Sequence, residues 1–209
     1  QQRLLNYKNR CCLFLYIYVM IKNTLKILSL LLFTINCNCQ TLPLNSPEEP
    51  DNGGYLKDID NVLPFWVGTW KGTVDNKEYT FQFTTFLHNT VNFPNGDYYY
   101  KDKLMGKFKV VDLTTNMVLY DDLSVSNFED YKIRLSGYGN NIGYVFRFVD
   151  DNAHCNNKTE FTMLKNSANP NQIKYLNFEY QRLLSPEDCI YPQQGDIPMF
   201  LPKVDLILR

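Results

Sequence analysis

Alternation between large apolar and polar side chains is the feature that most constrains the fold of this chain. It is cleanest in residues 78–84, where Tyr79, Phe81 and Phe83 would share one face and the residues between them the other. A period of two is the signature of a β-strand with one buried face. Comparable runs recur over 98–110, 117–120, 131–136, 144–149, 159–164, 173–181 and 203–209. No run of ten or more residues after position 39 has a helical period, so the sequence predicts an all-β protein.

Turn signals separate these runs at regular intervals. Asp75-Asn76-Lys77 is typical of a short hairpin connection, and residues 88–97 are predicted as a longer polar loop. Eight or nine short strands with this spacing favour a single antiparallel β-barrel or a barrel-like sandwich. The alternate lysines Lys103, Lys107 and Lys109 are interpreted as the solvent face of one strand.

The stretch 65–74 is predicted as the first strand of the domain. It contains both tryptophans of the chain, Trp66 and Trp70, together with Gly68 and Gly72. Two indoles within five residues supply a large apolar surface, and each N–H needs a partner when it is buried. The stretch is either an ordinary core strand with two large residues or the opening strand of a lipocalin-like barrel.

The residues before this stretch indicate export. Lys22 and Lys26 form a basic segment before an apolar run over 27–35. This run is too short to span a bilayer. Small residues at 37–39 are typical of a signal peptidase site, with cleavage expected before Gln40.

These features divide the chain into four parts. Residues 1–19 are interpreted as an upstream extension of the reading frame, 20–39 as a signal peptide, 40–62 as a proline-containing linker and 63–209 as the β-rich domain. The expected destination is the periplasm or the extracellular space. An N-terminal membrane anchor remains an alternative. Lipidation of Cys37 or Cys39, which would tether the domain to the outer membrane, is another.

Charge and cysteine content narrow the possible partners. All charged residues before position 40 are basic, so the exported part would carry more acidic than basic side chains. This balance argues against nucleic acid and against a polybasic membrane-binding surface. Cys155 and Cys189 are the two cysteines of the β-rich domain and are expected to form one disulfide. His88 and His154 are the only histidines, and no metal site is predicted.

No motif for catalysis is present, and no cofactor is expected. The chain lacks the nucleophile-elbow, phosphate-loop, dinucleotide and zinc-protease patterns. Its adjacent acidic pairs would point to opposite faces of a strand. The sequence therefore favours a protein that is not an enzyme.

The aromatic side chains are the strongest indication of a function. Residues predicted to line the inside of the barrel are Trp70, Tyr79, Phe81, Phe83, Phe108, Tyr131, Tyr144 and Phe146. An eight-stranded barrel either fills its interior with such rings or holds one small ligand. The first hypothesis is therefore a module that binds a small apolar ligand. The second is a structural or surface-interaction protein with a solidly packed β core. A cavity of several hundred cubic ångströms would favour the first hypothesis.

Two resemblances support this interpretation. The pattern Phe65-x-x-Gly68-Thr69-Trp70-Lys71-Gly72 resembles the opening strand of the lipocalin and fatty-acid-binding superfamily. That resemblance implies that a basic residue of the last strand, Lys203 or Arg209, covers the tryptophan by a cation–π contact.

The second resemblance covers nearly the whole exported part. The features that show it are the signal ending in Cys39-Gln40, the segments 55–58, 65–72 and 99–106, the two late cysteines and the proline-rich segment before the last strand. Together they resemble a family of uncharacterised secreted proteins from Gram-negative bacteria. The resemblance implies export and one β-rich domain, and it supplies no catalytic residues.

Overall fold

The computed structural model describes residues 40–139, 143–150, 157–180 and 196–209, together with Lys22, Cys155 and residues 189–191. The chain divides into two compact units, Gln1–Gln40 and Thr41–Arg209, and the fold below is that of the second unit. The proposed extension 1–19 and signal peptide 20–39 lie outside the described residues, apart from Lys22. In the described part of the chain, no helix is long and apolar enough to cross a membrane.

The predicted all-β class is confirmed. Within the described ranges there are eleven strands. They are β1 (Thr41–Pro43), β2 (Tyr55–Lys57), β3 (Gly68–Val74), β4 (Lys77–Asn92), β5 (Tyr98–Asp112), β6 (Val118–Asp121), β7 (Ile133–Gly139), β8 (Gly143–Asp150), β9 (Asn157–Lys165), β10 (Ile173–Tyr180) and β11 (Leu206–Leu208). Two short 3-10 helices, Leu63–Trp66 and Phe128–Asp130, lie in the connections.

Strand β5 is the centre of the sheet. One of its edges pairs with β4 along nearly the whole strand. Its other edge pairs in turn with β2, β7 and β6. From β7 the sheet continues through β8, β9 and β10 to β11.

The two ends of this strand path approach each other at β11 and β3. The backbones of Lys71 and Arg209 exchange two hydrogen bonds of 2.8 Å, although no continuous ladder forms there. Gly72 allows this approach, because a Cβ at its position would lie 2.5 Å from the carbonyl oxygen of Ile207. The result is a barrel-like sheet that is not fully closed.

The hairpin between β3 and β4 confirms one predicted turn. Asp75 and Asn76 both have positive φ, at 49° and 61°, as a two-residue type I′ turn requires. Asn76 connects this turn to the turn between β5 and β6. Its carbonyl accepts a hydrogen bond from the backbone N–H of Leu113, and its side chain bonds to Thr114.

The prediction that Trp66 lies in the first strand is wrong. Residues Leu63–Trp66 form a 3-10 helix, with Pro64 in its first turn, where the missing N–H costs nothing. The carboxylate of Asp58 accepts from the backbone N–H groups of Val62 and Leu63 at 2.9 Å and so stabilises the start of this helix. Strand β3 begins only at Gly68, after the turn.

The tryptophans therefore occupy different environments. Trp66 is fully buried, whereas Trp70 is half-buried on β3. The indole N–H of Trp70 donates to the carbonyl of Trp66 at 2.9 Å, while that of Trp66 has no hydrogen-bond partner within the described residues. Among the described residues, the predicted cation–π cover of Trp70 is formed neither by Arg209 nor by Lys203, which lies over Tyr180. Lys165 instead lies 4.2 Å from the ring centre of Phe65, which contacts both indoles.

Residues 40–62, interpreted from sequence as a linker, belong to the compact unit from Thr41 onward. Strands β1 and β2 pair in parallel, and β2 pairs in parallel with β5. Leu44 and Leu56 are buried in the core, while Ile59 is exposed. The strands are only three residues long, which is too short for a period of two to be recognised in the sequence.

The predicted pairing of Cys155 with Cys189 is present, with a Cα–Cα distance of 4.6 Å. Cys155 precedes β9 and is buried. Cys189 belongs to the connection between β10 and β11, so the bond ties this long connection to the start of β9.

Candidate functional site

The interior of the sheet is filled by aromatic rings. Phe81 is fully buried and lies within 6.5 Å, between ring centres, of Phe83, Phe108, Phe161 and Tyr175. Strands β4, β5, β9 and β10 each contribute at least one of these rings. Such stacked and tilted pairs add about 0.5–1.5 kcal/mol each to the effect of burial alone.

The eight residues predicted to line a ligand site fall into two groups. Those that are buried are Tyr79, Phe81, Phe83, Phe108, Tyr131 and Phe146. Trp70 and Tyr144 are only partly buried. Tyr131 contacts Phe86 and the ammonium of Lys107, and it does not belong to the ring cluster around Phe81. None of the eight lines the three cavities that lie among described residues around Lys101, Tyr98 and Lys71.

A cavity lined by both apolar and charged side chains lies where β5 and β7 separate, and we call it the β5–β7 cavity. The two strands pair only at Met105–Arg134 and Gly106–Ile133. Beyond these pairs β5 continues toward β2, while β7 follows β8. The separation leaves a cavity of about 420 Å³.

The walls of the β5–β7 cavity combine apolar and charged side chains. Residues with apolar or aromatic side chains are Val91, Tyr99, Leu104, Met105, Phe128, Leu135 and Tyr138. Residues with charged or other polar side chains are Thr90, Lys101, Asp102, Lys103, Glu129, Arg134 and Ser136. An apolar wall with a few converging polar groups is the usual make-up of a small-molecule site, and 420 Å³ lies in the usual range.

Gly106 explains how the strands meet at the base of this cavity. A Cβ at its position would lie 2.6 Å from the ring of Phe83 and 3.4 Å from Ile133. The ring of Phe83 is fully buried and held by Phe81 and Phe146, so it has little room to move. Glycine is therefore required where β5 passes over the ring of Phe83 and pairs with β7.

Asp102 fixes one wall of the cavity. Its buried carboxylate accepts hydrogen bonds from the hydroxyl of Tyr55 at 2.5 Å and from the backbone N–H groups of Asp58 and His88 at 2.9 Å. Burial first, and then this hydrogen bond to Asp102, raise the pKa of Tyr55 to about 12. The carboxylate thus joins β5 to β2 and to β4.

Three cationic side chains face the cavity from neighbouring strands: Lys101 and Lys103 on β5, and Arg134 on β7. Burial, followed by repulsion from Lys103, lowers the pKa of Lys101. Burial, followed by repulsion from Arg134, lowers the pKa of Lys103, with Glu129 opposing the shift. Arg134 donates to the backbone carbonyl of Glu129 at 3.3 Å.

Two phenols complete the site. Burial, and then the charge of Glu49, raise the pKa of Tyr99. Burial, and then the charge of Asp58, raise the pKa of Tyr138. Both side chains therefore stay neutral near pH 7 and can present a hydroxyl donor beside an apolar ring.

The connection between β6 and β7 supplies the outer wall of the cavity. The prediction that Lys107 faces solvent is wrong. This lysine is buried, and its ammonium donates to the carbonyls of Leu123 and Val125 at 2.7 and 2.8 Å. The connection thus covers the face of β5 that alternation assigned to solvent. Its 3-10 helix places Phe128 against Phe86 of β4, with 5.2 Å between ring centres.

His88, predicted in a loop, lies within β4 at an irregularity in the pairing with β5. Its φ of 56° marks the bulge. The imidazole of His88 stacks on the ring of Tyr100, with 3.9 Å between ring centres. The contact of His88 with Asp102 is made by its backbone N–H. His154 lies outside the described residues. Among the described residues, no group of three or more His, Cys, Asp or Glu could hold a metal ion.

None of the residues that line the cavity was predicted from the sequence as a site residue. One usable signal was present: Asp102 lies between Lys101 and Lys103 in a strand, which places a carboxylate on the face opposite the lysines. A carboxylate on the buried face needs several donors, and it indicates a fixed polar site.

Comparison with known proteins adds a family and no function. No curated protein and no solved structure matches the chain. The model of a family of unknown function (DUF6705) matches residues 21–185, most of the chain. The chain therefore belongs to this family of unknown function.

Proposed function

We propose that this protein is an exported binding module without enzymatic activity, and that it holds a small, partly apolar ligand in the β5–β7 cavity. The cavity, with its volume of about 420 Å³ between fixed strands, is the observation that carries the proposal. The proposal places the ligand outside the ring cluster around Phe81, because those rings already contact one another.

The hydrogen bonds that hold the walls together support a binding role. Asp102 holds β5 to β2 and β4, and Lys107 holds the β6–β7 connection against β5. A site that is formed before the ligand arrives loses less conformational entropy on binding. The polar groups in its wall would set orientation, and the apolar side chains would supply most of the contact area.

The binding proposal can be tested with N-phenyl-1-naphthylamine, a neutral apolar fluorescent probe. We expect saturable binding to the full chain with one probe per molecule. Val91→Trp fills the cavity and should weaken binding by about tenfold or more, a loss readily measured as a shift in Kd. Val118→Trp is the matched control, since Val118 is an exposed strand valine away from the cavity.

Two results would contradict the binding proposal. The first is a wild-type chain that binds no probe, and the second is equal binding by both tryptophan variants. The melting temperature of each variant should be measured in parallel, so that unfolding of Val91→Trp is not taken for blocked binding.

Export is supported by the Cys155–Cys189 disulfide, because such bonds persist in oxidising compartments. Expression in a Gram-negative host should yield periplasmic protein. Its measured mass should correspond to a chain that begins at Gln40 and has lost two hydrogens to the disulfide. A mass with added diacylglycerol at Cys37 or Cys39 would replace soluble export with lipid anchoring. Recovery of the uncleaved, reduced chain from the cytoplasm alone would refute export.

A structural or surface-interaction protein is the second candidate. The filled ring cluster supports it, as do the exposed apolar side chains of Leu87 and Ile190, which are 69% and 73% exposed. If the wild-type chain binds no small probe but self-associates or attaches to surfaces through these side chains, this candidate replaces the first.

A further inference from the structure

The three cationic side chains of the β5–β7 cavity lie on one side of the sheet. Lys101 and Lys103 are two residues apart on β5 and therefore share a face. Met105 continues that face, and Arg134 lies directly opposite it on β7. Side chains directly opposite on paired strands also share a face, so the three cations line one wall.

The charge of Glu129 acts on Lys103 across the cavity, but among the described residues no carboxylate forms an ion pair with any of the three cations. Within the described part of the chain, ion pairs are formed by Lys109 with Asp121, Lys132 with Asp150 and Arg147 with Glu160. No described carboxylate lies within ion-pair distance of Lys101, Lys103 or Arg134. Asp102 is close in sequence, but its carboxylate already accepts three hydrogen bonds from Tyr55, Asp58 and His88.

The lack of ion pairs at these three cations has an energetic consequence. Burial first, and then repulsion between like charges, lower the pKa of Lys101 and of Lys103. A bound anion would relieve the repulsion and would regain the hydrogen bonds that burial removes from the ammonium groups.

The rest of the cavity is suited to an apolar body attached to that anion. Tyr99 lines it from β5, and Leu135 and Tyr138 line it from β7. A simple inorganic anion would leave this apolar surface unused, whereas a hydrocarbon or aromatic group would cover it.

We propose that the β5–β7 cavity binds an amphipathic organic anion, with its carboxylate or phosphate on Lys101, Lys103 and Arg134 and its apolar part against Tyr99, Leu135 and Tyr138. This inference rests on the binding function proposed above and names the class of its ligand.

Matched probes of one chain length test the charge requirement. Calorimetric titration of the full chain with decanoate, decyl phosphate and decanol compares two anions with a neutral alcohol. Charge-assisted hydrogen bonds are the strong ones, so we expect one or both anions to bind about tenfold or more tighter than decanol. The tighter anion identifies the head group.

Variants then assign the preference to the cavity. Lys101→Gln and Lys103→Gln should each remove most of the preference for the anion over decanol. Arg134→Gln provides a third variant on the other strand if either lysine variant folds poorly. Lys109→Gln is the matched control, because Lys109 lies on β5 outside the cavity and pairs with Asp121.

The possible failures are distinguishable. Equal affinity for anions and decanol, with both lost in Val91→Trp, would overturn the anion inference and leave the binding function intact. A preference for the anion that survives all three glutamine variants would also overturn the inference. If none of the probes binds, the binding function and this inference fail together.

Discussion

Asp102 is the residue on which the local architecture most depends. Its carboxylate is buried in β5 and receives donors from the side chain of Tyr55 and the backbones of Asp58 and His88. Two of these donors lie at or just after β2, and the third lies at the bulge in β4. One side chain thus holds two neighbouring strands in place beside the cavity.

We predict that Asp102→Ala lowers the free energy of unfolding by about 2–4 kcal/mol, because it leaves buried donors without an acceptor. Urea titration followed by tryptophan fluorescence measures the change. Asp130→Ala is the control: Asp130 is exposed on the β6–β7 connection, and its loss should leave stability nearly unchanged. Equal effects of the two substitutions would show that the Asp102 hydrogen bonds do not stabilise the fold.

Single residues also show where sequence reasoning succeeded and failed. Alternation correctly placed Phe81, Phe83 and Phe108 on the inner face of the sheet. It assigned Lys107 to solvent by the same logic, yet that lysine is buried beneath residues 123–125. A strand's own pattern identifies its two faces, but it carries no information about a distant connection that covers one of them.

Among the elements, most strands were predicted at least in part, including the short strands β6 and β11, whereas β1 and β2 were not. Strands β4 and β5 have many alternating residues, and turn chemistry at Asp75-Asn76 fixed their position relative to β3. Strands β1 and β2 have three residues each and depend on pairing with β5 through β2. Tertiary contacts, not local propensity, decide such elements.

The attachment of β2 to β5 should depend on alkaline pH through Tyr55. Its pKa is raised from 10.0 to about 12, so the folded state keeps the phenol neutral while the unfolded chain ionises first. The stability it contributes is complete below pH 10 and is lost as the pH rises through 12. Stability therefore falls with pH across this window.

We predict that Tyr55→Phe removes this pH-dependent contribution. The difference in unfolding free energy between wild type and Tyr55→Phe should shrink as the pH rises from about 9 to about 11.5. Other tyrosines with raised pKa values, such as Tyr120 and Tyr175, affect both proteins equally and cancel in the difference. A difference that stays constant or grows would contradict the role given to the Tyr55 hydroxyl.

At the scale of the whole molecule, the number of aromatic residues could not reveal whether the interior is open. Alternation specifies which rings point inward, but the remaining volume depends on how closely the strands approach. Here the ring cluster around Phe81 fills the inside, and open space arises where β5 and β7 separate. That separation follows from the pairing of β5 with β2, a parallel contact between segments about 45 residues apart.

Amide chemical-shift mapping by NMR during titration with decanoate tests most directly the claim that the β5–β7 cavity, and not the ring cluster, binds the ligand. We predict saturable shifts concentrated at residues 99–105 and 134–138, with the amides of Phe81, Phe108 and Phe161 little changed. Shifts centred on those three core residues, or no saturable shifts at all, would contradict the account.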